Sequence, residues 1–100
     1  VSVGDADYIK QCLAESGEVY FNKLHLKPGR PLTFGRINNS HFFGLPGNPV
    51  AVMVTFMYFV RPAIKQLMGH HDTELMNISV PCLTDLRKLS GRTEIQRGIL

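Results

Sequence analysis

Residues 48–69, with the sequence NPVAVMVTFMYFVRPAIKQLMG, constrain the fold of this chain more than any other stretch. They read as one long helix, because Asn48 is a good N-cap, Pro49 suits the first helical position and Gly69 suits a helix end. Pro62 lies inside the pattern and predicts a kink or break there. The first half is apolar on nearly every side, so we expect it to be buried on more than one face.

The composition is that of a folded domain. Of the 100 residues, 44% are hydrophobic and 19% are charged, which is too apolar for a disordered tail. The formal net charge of +3 slightly favours anionic partners, but the basic residues are scattered, so no nucleic-acid surface is expected. The longest strongly apolar run, Val50 to Val60, is shorter than the ~20 residues that a membrane span needs, so no span is expected.

The cysteines and the chain ends carry two further expectations. Cys12 and Cys82 are far apart and belong to no paired metal motif, which is typical of two reduced thiols in a cytoplasmic protein. The chain begins at Val1 and ends on RGIL, so we expect a fragment of a longer polypeptide. Parts of any functional site would then lie outside it.

Elsewhere in the chain, helix and strand patterns alternate up to about residue 75, and only short strand-like patterns follow. ADYIKQCLAES predicts a helix that Asp5 caps and that Gly17 ends in a left-handed conformation. EVYFNKLHLK predicts a strand, and LTFGRI and HFFGL predict a hairpin of two antiparallel strands joined by a short turn. After about residue 75 we expect only short strand-like pieces, which indicates a domain boundary near residues 70–76.

The segment GLPGNP, residues 44–49, is a candidate anion site. A strand that enters a tight turn at a helix N-terminus presents free backbone N–H groups and the positive end of the helix dipole. Gly47 would let a ligand approach the backbone, and Pro46 and Pro49 would fix the loop in advance. The alternative is a rigid strand-to-helix connection with no ligand.

The segment FNKLHLK is a second candidate. In a continuous strand, Phe21, Lys23, His25 and Lys27 would share one face, and the two lysines could clamp an oxyanion together with Arg30 in the following turn. The alternative is a solvated strand face.

The segment VSVGDADY is a third candidate, with Ser2 and Gly4 as part of a backbone nest and Asp7 as a Mg²⁺ ligand. A simple helix start is the alternative.

Three segments in this order and spacing carry a family resemblance: VSVGDADYIK, KLHLKPGRPLTFG and FFGLPGNPVAV. Together they resemble the MoeA and gephyrin E-domain family, the molybdopterin molybdenumtransferases, over essentially the whole chain. The tail GRTEIQRGIL resembles the first strands of that family's C-terminal β-barrel domain. The implied fold class is α/β. Residues 1–75 would be the C-terminal half of a three-layer α/β/α, MogA-like molybdopterin-binding domain, and residues 76–100 the start of a small β-barrel domain.

The resemblance implies an enzyme of molybdenum cofactor biosynthesis. Members insert molybdenum from molybdate into adenylated molybdopterin, in a Mg²⁺-assisted step that releases AMP. By motif, Asp7 matches a functionally important aspartate and is the implied Mg²⁺ ligand, while Lys23 and Lys27 match two lysines of the catalytic segment. Pterin or phosphate contacts are implied for Ser2, Gly4, Pro46, Gly47, Asn48 and Pro49.

The family also implies a homodimer in the full-length form, a molybdopterin adenylyltransferase as partner, a cytoplasmic location and an inactive isolated fragment. The alternative is a gephyrin-like scaffold that docks a receptor peptide, although the retained lysines and aspartate argue against scaffolding as the sole role. Two departures from the family pattern stand out: Ala51 where serine is frequent, and Arg30 where lysine is common. Arginine keeps the charge and changes its geometry.

Overall fold

The computed structural model describes residues 8–100 of the chain, with side chains from Gln11 onward. Its elements in order are α1 (Tyr8–Ser16), β1 (Gly17–Phe21), β2 (Leu26–Lys27), β3 (Thr33–Ile37), β4 (Ser40–Gly44), α2 (Pro49–Thr55), a π-helical turn (Phe56–Val60), α3 (Arg61–Leu67) and β5 (Thr93–Glu94). The predicted mixed α/β class is confirmed. Ser2, Gly4, Asp5 and Asp7 lie outside the described residues.

A three-stranded antiparallel sheet organises the first part of the molecule. Its strand order is β1-β3-β4, and β3 and β4 form the predicted hairpin, with Ile37 opposite Ser40. Asn38 takes the left-handed conformation at the turn, with φ of 52°, and the Arg36 guanidinium donates to the Asn38 carbonyl and the Asn39 side chain. Helix α1 packs against β1 and β3 and buries Leu13 there.

The predicted strand EVYFNKLHLK is wrong in its middle. β1 ends at Phe21, and the chain resumes strand geometry only at the two residues of β2. Because β1 pairs directly with β3, residues 22–32 form an excursion out of the sheet. Phe21, Lys23, His25 and Lys27 therefore do not share one continuous strand face, contrary to the prediction. Gly17 begins β1 instead of ending α1 in a left-handed conformation.

The long helix begins and ends as the sequence predicts. The Asn48 side chain accepts hydrogen bonds from the backbone N–H groups of Val50 (3.0 Å) and Ala51 (3.3 Å), and Pro49 is the first helical residue. At the other end Gly69 has φ of 87°. The Gly69 N–H donates to Gln66 O and the His70 N–H to Lys65 O, both at 3.0 Å. These two bonds form a Schellman motif, which closes the helix.

The predicted irregularity near Pro62 takes the form of a π-helical turn. The Arg61 N–H donates to Phe56 O, five residues back, so the helix widens immediately before the proline. Pro62 has no N–H to continue the α-helical pattern, and α3 starts with this residue in its first turn. The sequence thus places the interruption correctly and leaves its form open.

The helix is far more exposed than the sequence predicts, so the expected burial on several faces is wrong for the described residues. Ala51 and Thr55 are buried, whereas Met53 is 67% exposed. The reason is that the described residues pack on little of this helix: the excursion of residues 22–32 meets it at Thr55, and the sheet strands are not among the main contacts of α2. By length and composition alone, the stretch Pro49–Leu67 is apolar enough to cross a membrane, although the core helix of a soluble protein meets the same criteria.

After Leu67 the described chain has one strand, β5, which pairs in parallel with β2. The Thr93 N–H donates to His25 O at 2.8 Å and the Ile95 N–H to Lys27 O at 2.7 Å. The tail is therefore tied to the excursion that carries the lysines. The three-layer arrangement, the barrel strands and the division at residues 75/76 stay predictions.

Candidate functional site

Lys23 and Lys27 lie on the excursion of residues 22–32, named here the lysine loop. Both residues are exposed. The loop is closed by a hydrogen bond from the Leu24 N–H to Arg30 O at 2.8 Å, and its Leu26 and Leu32 side chains are buried. Apolar anchors thus hold the loop while its ammonium groups face solvent. The Lys27–Pro28 peptide bond is cis.

The tip of the lysine loop packs directly on α2. Gly29 is buried and has φ of 113°, and a methyl group placed on it would lie 2.5 Å from Thr55 Cγ2. Only glycine fits this position, because both its conformation and the available space exclude a side chain. Thr55 is seven residues after Asn48, which is about 10 Å along a helix axis. The structure therefore brings two of the three predicted segments onto one helix.

The LPGNP loop presents few backbone donors at the helix itself. Pro49 has no N–H, the N–H groups of Val50 and Ala51 donate to the Asn48 side chain, and the Val52 N–H donates to Asn48 O at 2.9 Å. Among residues 8–100, the N–H groups of Gly47 and Asn48 have no acceptor. An anion at this loop would therefore be held by these two amides.

The LPGNP loop changes from buried to exposed between Pro46 and Gly47. Pro46 is buried, whereas Gly47, Asn48 and Pro49 are exposed. A Cβ atom on Gly47 would have nothing within 4 Å. Packing within the described chain therefore does not demand a glycine at position 47, and a ligand that approaches the backbone would explain one.

Lys27 also lines a positively charged cavity that sequence reasoning missed. The cavity has a volume of about 360 Å³ and is lined by Lys27, Arg87, Leu89, Ser90, Arg92 and Glu94. Three of these residues are cationic and one is a carboxylate, Glu94, which lies opposite Lys27 in the β2–β5 pair. A cavity of this charge suits an anionic ligand. Gly47 and Asn48 are not among its lining residues.

Arg87 and Arg92 could not be assigned to this cavity from their spacing in the sequence. They lie about 60 residues after Lys27 and reach it through the pairing of β5 with β2, a long-range contact that no local pattern encodes. The one local indication of a cationic site was the short basic tail, which predicted only barrel strands.

The described residues do not form a Mg²⁺ site by themselves. Residues 8–100 contain no group of three or more His, Cys, Asp or Glu side chains that could hold a metal ion. The predicted ligand, Asp7, lies outside them, together with Ser2 and Gly4.

A family model described as "Probable molybdopterin binding domain" matches residues 1–66, which include the lysine loop and the LPGNP loop. This chain belongs to that molybdopterin-binding domain family. The match ends just before the C-terminus of α3. The recognition made from the three sequence segments is confirmed.

Relatives of this family member carry names from molybdenum cofactor metabolism. A molybdopterin molybdenumtransferase of Haemophilus influenzae is 43% identical over 98% of the chain. The molybdenum cofactor synthesis protein cinnamon of Drosophila melanogaster is 38% identical over 98% of the chain, and a gephyrin of Dictyostelium discoideum is 41% identical over 83%. The chain spans 24%, 17% and 14% of the length of these three relatives.

Proposed function

We propose that the full-length form of this protein is a molybdopterin molybdenumtransferase. It would insert molybdenum from molybdate into adenylated molybdopterin and release AMP. The family membership supports the pterin part of this proposal, and relatives with the transferase name support the reaction. The observation that carries it is the cationic cavity at Lys27. Lys27 lies on the lysine loop, which packs on α2, the helix that Asn48 caps.

The reaction suits fixed positive groups because every participant is an anion. Molybdate, the pterin phosphate and AMP are negatively charged, and cleavage of the phosphoanhydride builds charge on phosphoryl oxygens. Positioning and electrostatic stabilisation are the main catalytic contributions to phosphoryl transfer. In the proposal, the Lys27, Arg87 and Arg92 side chains hold the oxyanion in the cavity. Lys23 does not line this cavity and would add a second ammonium group from the same loop.

The LPGNP loop would hold another part of the substrate. The amides of Gly47 and Asn48, for which residues 8–100 provide no acceptor, would donate to a phosphate or pterin oxygen, with Pro46 and Pro49 fixing the loop. This loop and the lysine loop meet α2 about 10 Å apart along its axis. An extended substrate with several anionic groups could span that separation, with one charged end at each loop.

The remaining parts of the proposal rest on the resemblance. They are Mg²⁺ binding by Asp7, pterin or phosphate contacts from Ser2 and Gly4, a homodimer, a molybdopterin adenylyltransferase partner and a cytoplasmic location. The same resemblance is the basis for the proposed three-layer domain over residues 1–75 and for the proposed barrel domain that starts at residue 76.

The proposal is tested by molybdate-dependent AMP release from adenylated molybdopterin, measured with the full-length protein. We expect Lys23→Ala and Lys27→Ala each to lower the rate by at least about tenfold. Each substitution removes a positive charge that would stabilise the negative charge developing on the phosphoryl oxygens. Lys65→Ala is the matched control, because Lys65 lies on α3 and does not line the cavity. Wild-type rates in both loop variants would refute the assigned roles.

The gephyrin relative keeps a scaffold as the second candidate. Such a protein would capture a peptide tightly and release no AMP. The two outcomes are separated by running the AMP assay and a peptide pull-down on the same full-length preparation.

A further inference from the structure

Gly29 of the lysine loop lies against Thr55 of α2. Thr55 is a polar residue and is fully buried, at 0% exposure, on a helix whose other buried residue is Ala51. Its Cγ2 methyl group occupies the space that a side chain on Gly29 would need, because a Cβ atom added to Gly29 would lie 2.5 Å from it. Its hydroxyl group points elsewhere and donates to Ala51 O at 2.7 Å.

The two branches of Thr55 therefore have separate partners. The hydroxyl group is satisfied inside α2, by a local bond four residues back that slightly disturbs a helix and positions nothing outside it. The methyl group is the part that fills the space under the loop tip. Because Gly29 has no side chain, this methyl group packs directly under the loop tip, in addition to the buried Leu26 and Leu32 side chains that anchor the rest of the loop.

We propose that Thr55 is a positioning residue, whose methyl group holds the Lys27–Arg30 turn at its distance from α2 and so keeps Lys27 in the cavity that Arg92 also lines. This inference rests on the proposed function for its consequence, since displacement of Lys27 matters only if Lys27 binds an anion. Neither Thr55 nor Gly29 need touch the substrate.

The test separates the two branches of the side chain in the full-length protein. Thr55→Ser keeps the hydroxyl group and removes the methyl group; Thr55→Val keeps the methyl group and removes the hydroxyl group. We expect Thr55→Ser to raise the KM for molybdate roughly threefold to tenfold with kcat little changed, because the packing lost with one buried methyl group falls on the loop that carries Lys27. Thr55→Val keeps a KM near that of the wild type even where its Tm is lower.

A compensating pair tests the contact itself. Gly29→Ala places a methyl group against Thr55 Cγ2 and raises the KM for molybdate. Adding Thr55→Ser clears that space, so the double variant recovers part of the loss; the strain from the positive φ remains. Equal KM values in Thr55→Ser and the wild type, or no recovery in the double variant, would overturn the proposal.

Hydrogen exchange makes the result independent of the reaction. Without substrate, peptides covering residues 24–32 should exchange faster in Thr55→Ser than in Thr55→Val, while peptides covering β3 and β4 stay unchanged. If the wild type releases no AMP, the proposed function fails and the exchange data still decide the positioning role. If the wild type is active but exchange in the loop is the same in both variants, the positioning role alone fails.

Discussion

At the scale of single residues, the LPGNP loop has a rigid, buried residue directly before an exposed one. Pro46 is buried and fixes the backbone, while the next residue, Gly47, is exposed with open space where a side chain would be. The amides of Gly47 and Asn48 are the donors that the loop leaves free among residues 8–100. A glycine that folding does not require is best explained by what approaches it from outside.

Gly47→Ala should therefore affect binding without affecting folding. The new methyl group meets no atom within 4 Å, so we expect Tm to change by no more than about 2 °C. In the full-length protein the same methyl group would block a substrate from the Gly47 and Asn48 amides, so the rate of AMP release should fall at least about tenfold. Gly98→Ala, equally unobstructed and outside the loop, is the control. An active Gly47→Ala enzyme would remove this loop from the site.

The structural and electrostatic roles of Asn48 can be tested separately. Asn48→Ala removes the cap for Val50 and Ala51 and should lower the free energy of unfolding by about 1 kcal/mol. Asn48→Asp keeps the cap and the stability but places a negative charge beside the Gly47 and Asn48 amides. We expect molybdate-dependent AMP release to fall more in the aspartate variant than in the alanine variant. Denaturant titration with the activity assay measures both, and the reverse order of activities would contradict an anion at this loop.

At the scale of elements, the sequence predicts what local chemistry controls. The Asn48 cap, the Gly69 helix end and the β3–β4 hairpin were all predicted correctly, because each depends on residues a few positions apart. The lysine loop was not predicted, since EVYFNKLHLK has continuous strand propensity and only the pairing of β1 with β3 interrupts it. The cavity at Lys27 was missed for the same reason, because Arg92 reaches it through a contact between distant segments.

The β2–β5 pair can be tested through the bond that starts it. Thr93→Pro removes the donor of the 2.8 Å bond to His25 O, and proline is excluded from paired strand positions of this kind. We expect the tail to detach from the lysine loop, the KM for molybdate to rise and residues 24–28 to exchange hydrogen faster. The β3–β4 hairpin should keep its protection. Ile99→Pro, at an exposed position outside the pairing, serves as the control. If Thr93→Pro leaves the KM unchanged, Arg92 does not act together with Lys27.

At the scale of the whole molecule, the exposed helix is the feature that the described chain leaves unexplained. Only 17% of the stretch Pro49–Leu67 is buried, and Met53 and Leu67 are among its exposed apolar residues. A surface of this kind usually marks an interaction. Because the chain spans 24% of the Haemophilus relative, we propose that the rest of the full-length protein covers this helix, as the predicted three-layer domain requires.

Methionine oxidation distinguishes a covered helix from an exposed one. Met53 is 67% exposed and Met76, after the helix, is 89% exposed, so in the isolated 100-residue chain hydrogen peroxide should oxidise both at similar rates. In the full-length protein, purified from the soluble fraction, we expect Met53 to be oxidised at least about tenfold more slowly than in the isolated chain, because burial removes access to the thioether. Mass spectrometry of peptides containing each residue gives the two rates. Equal oxidation of Met53 in both proteins would show that the helix stays on the surface, and protection only in the membrane fraction would show that it lies in lipid.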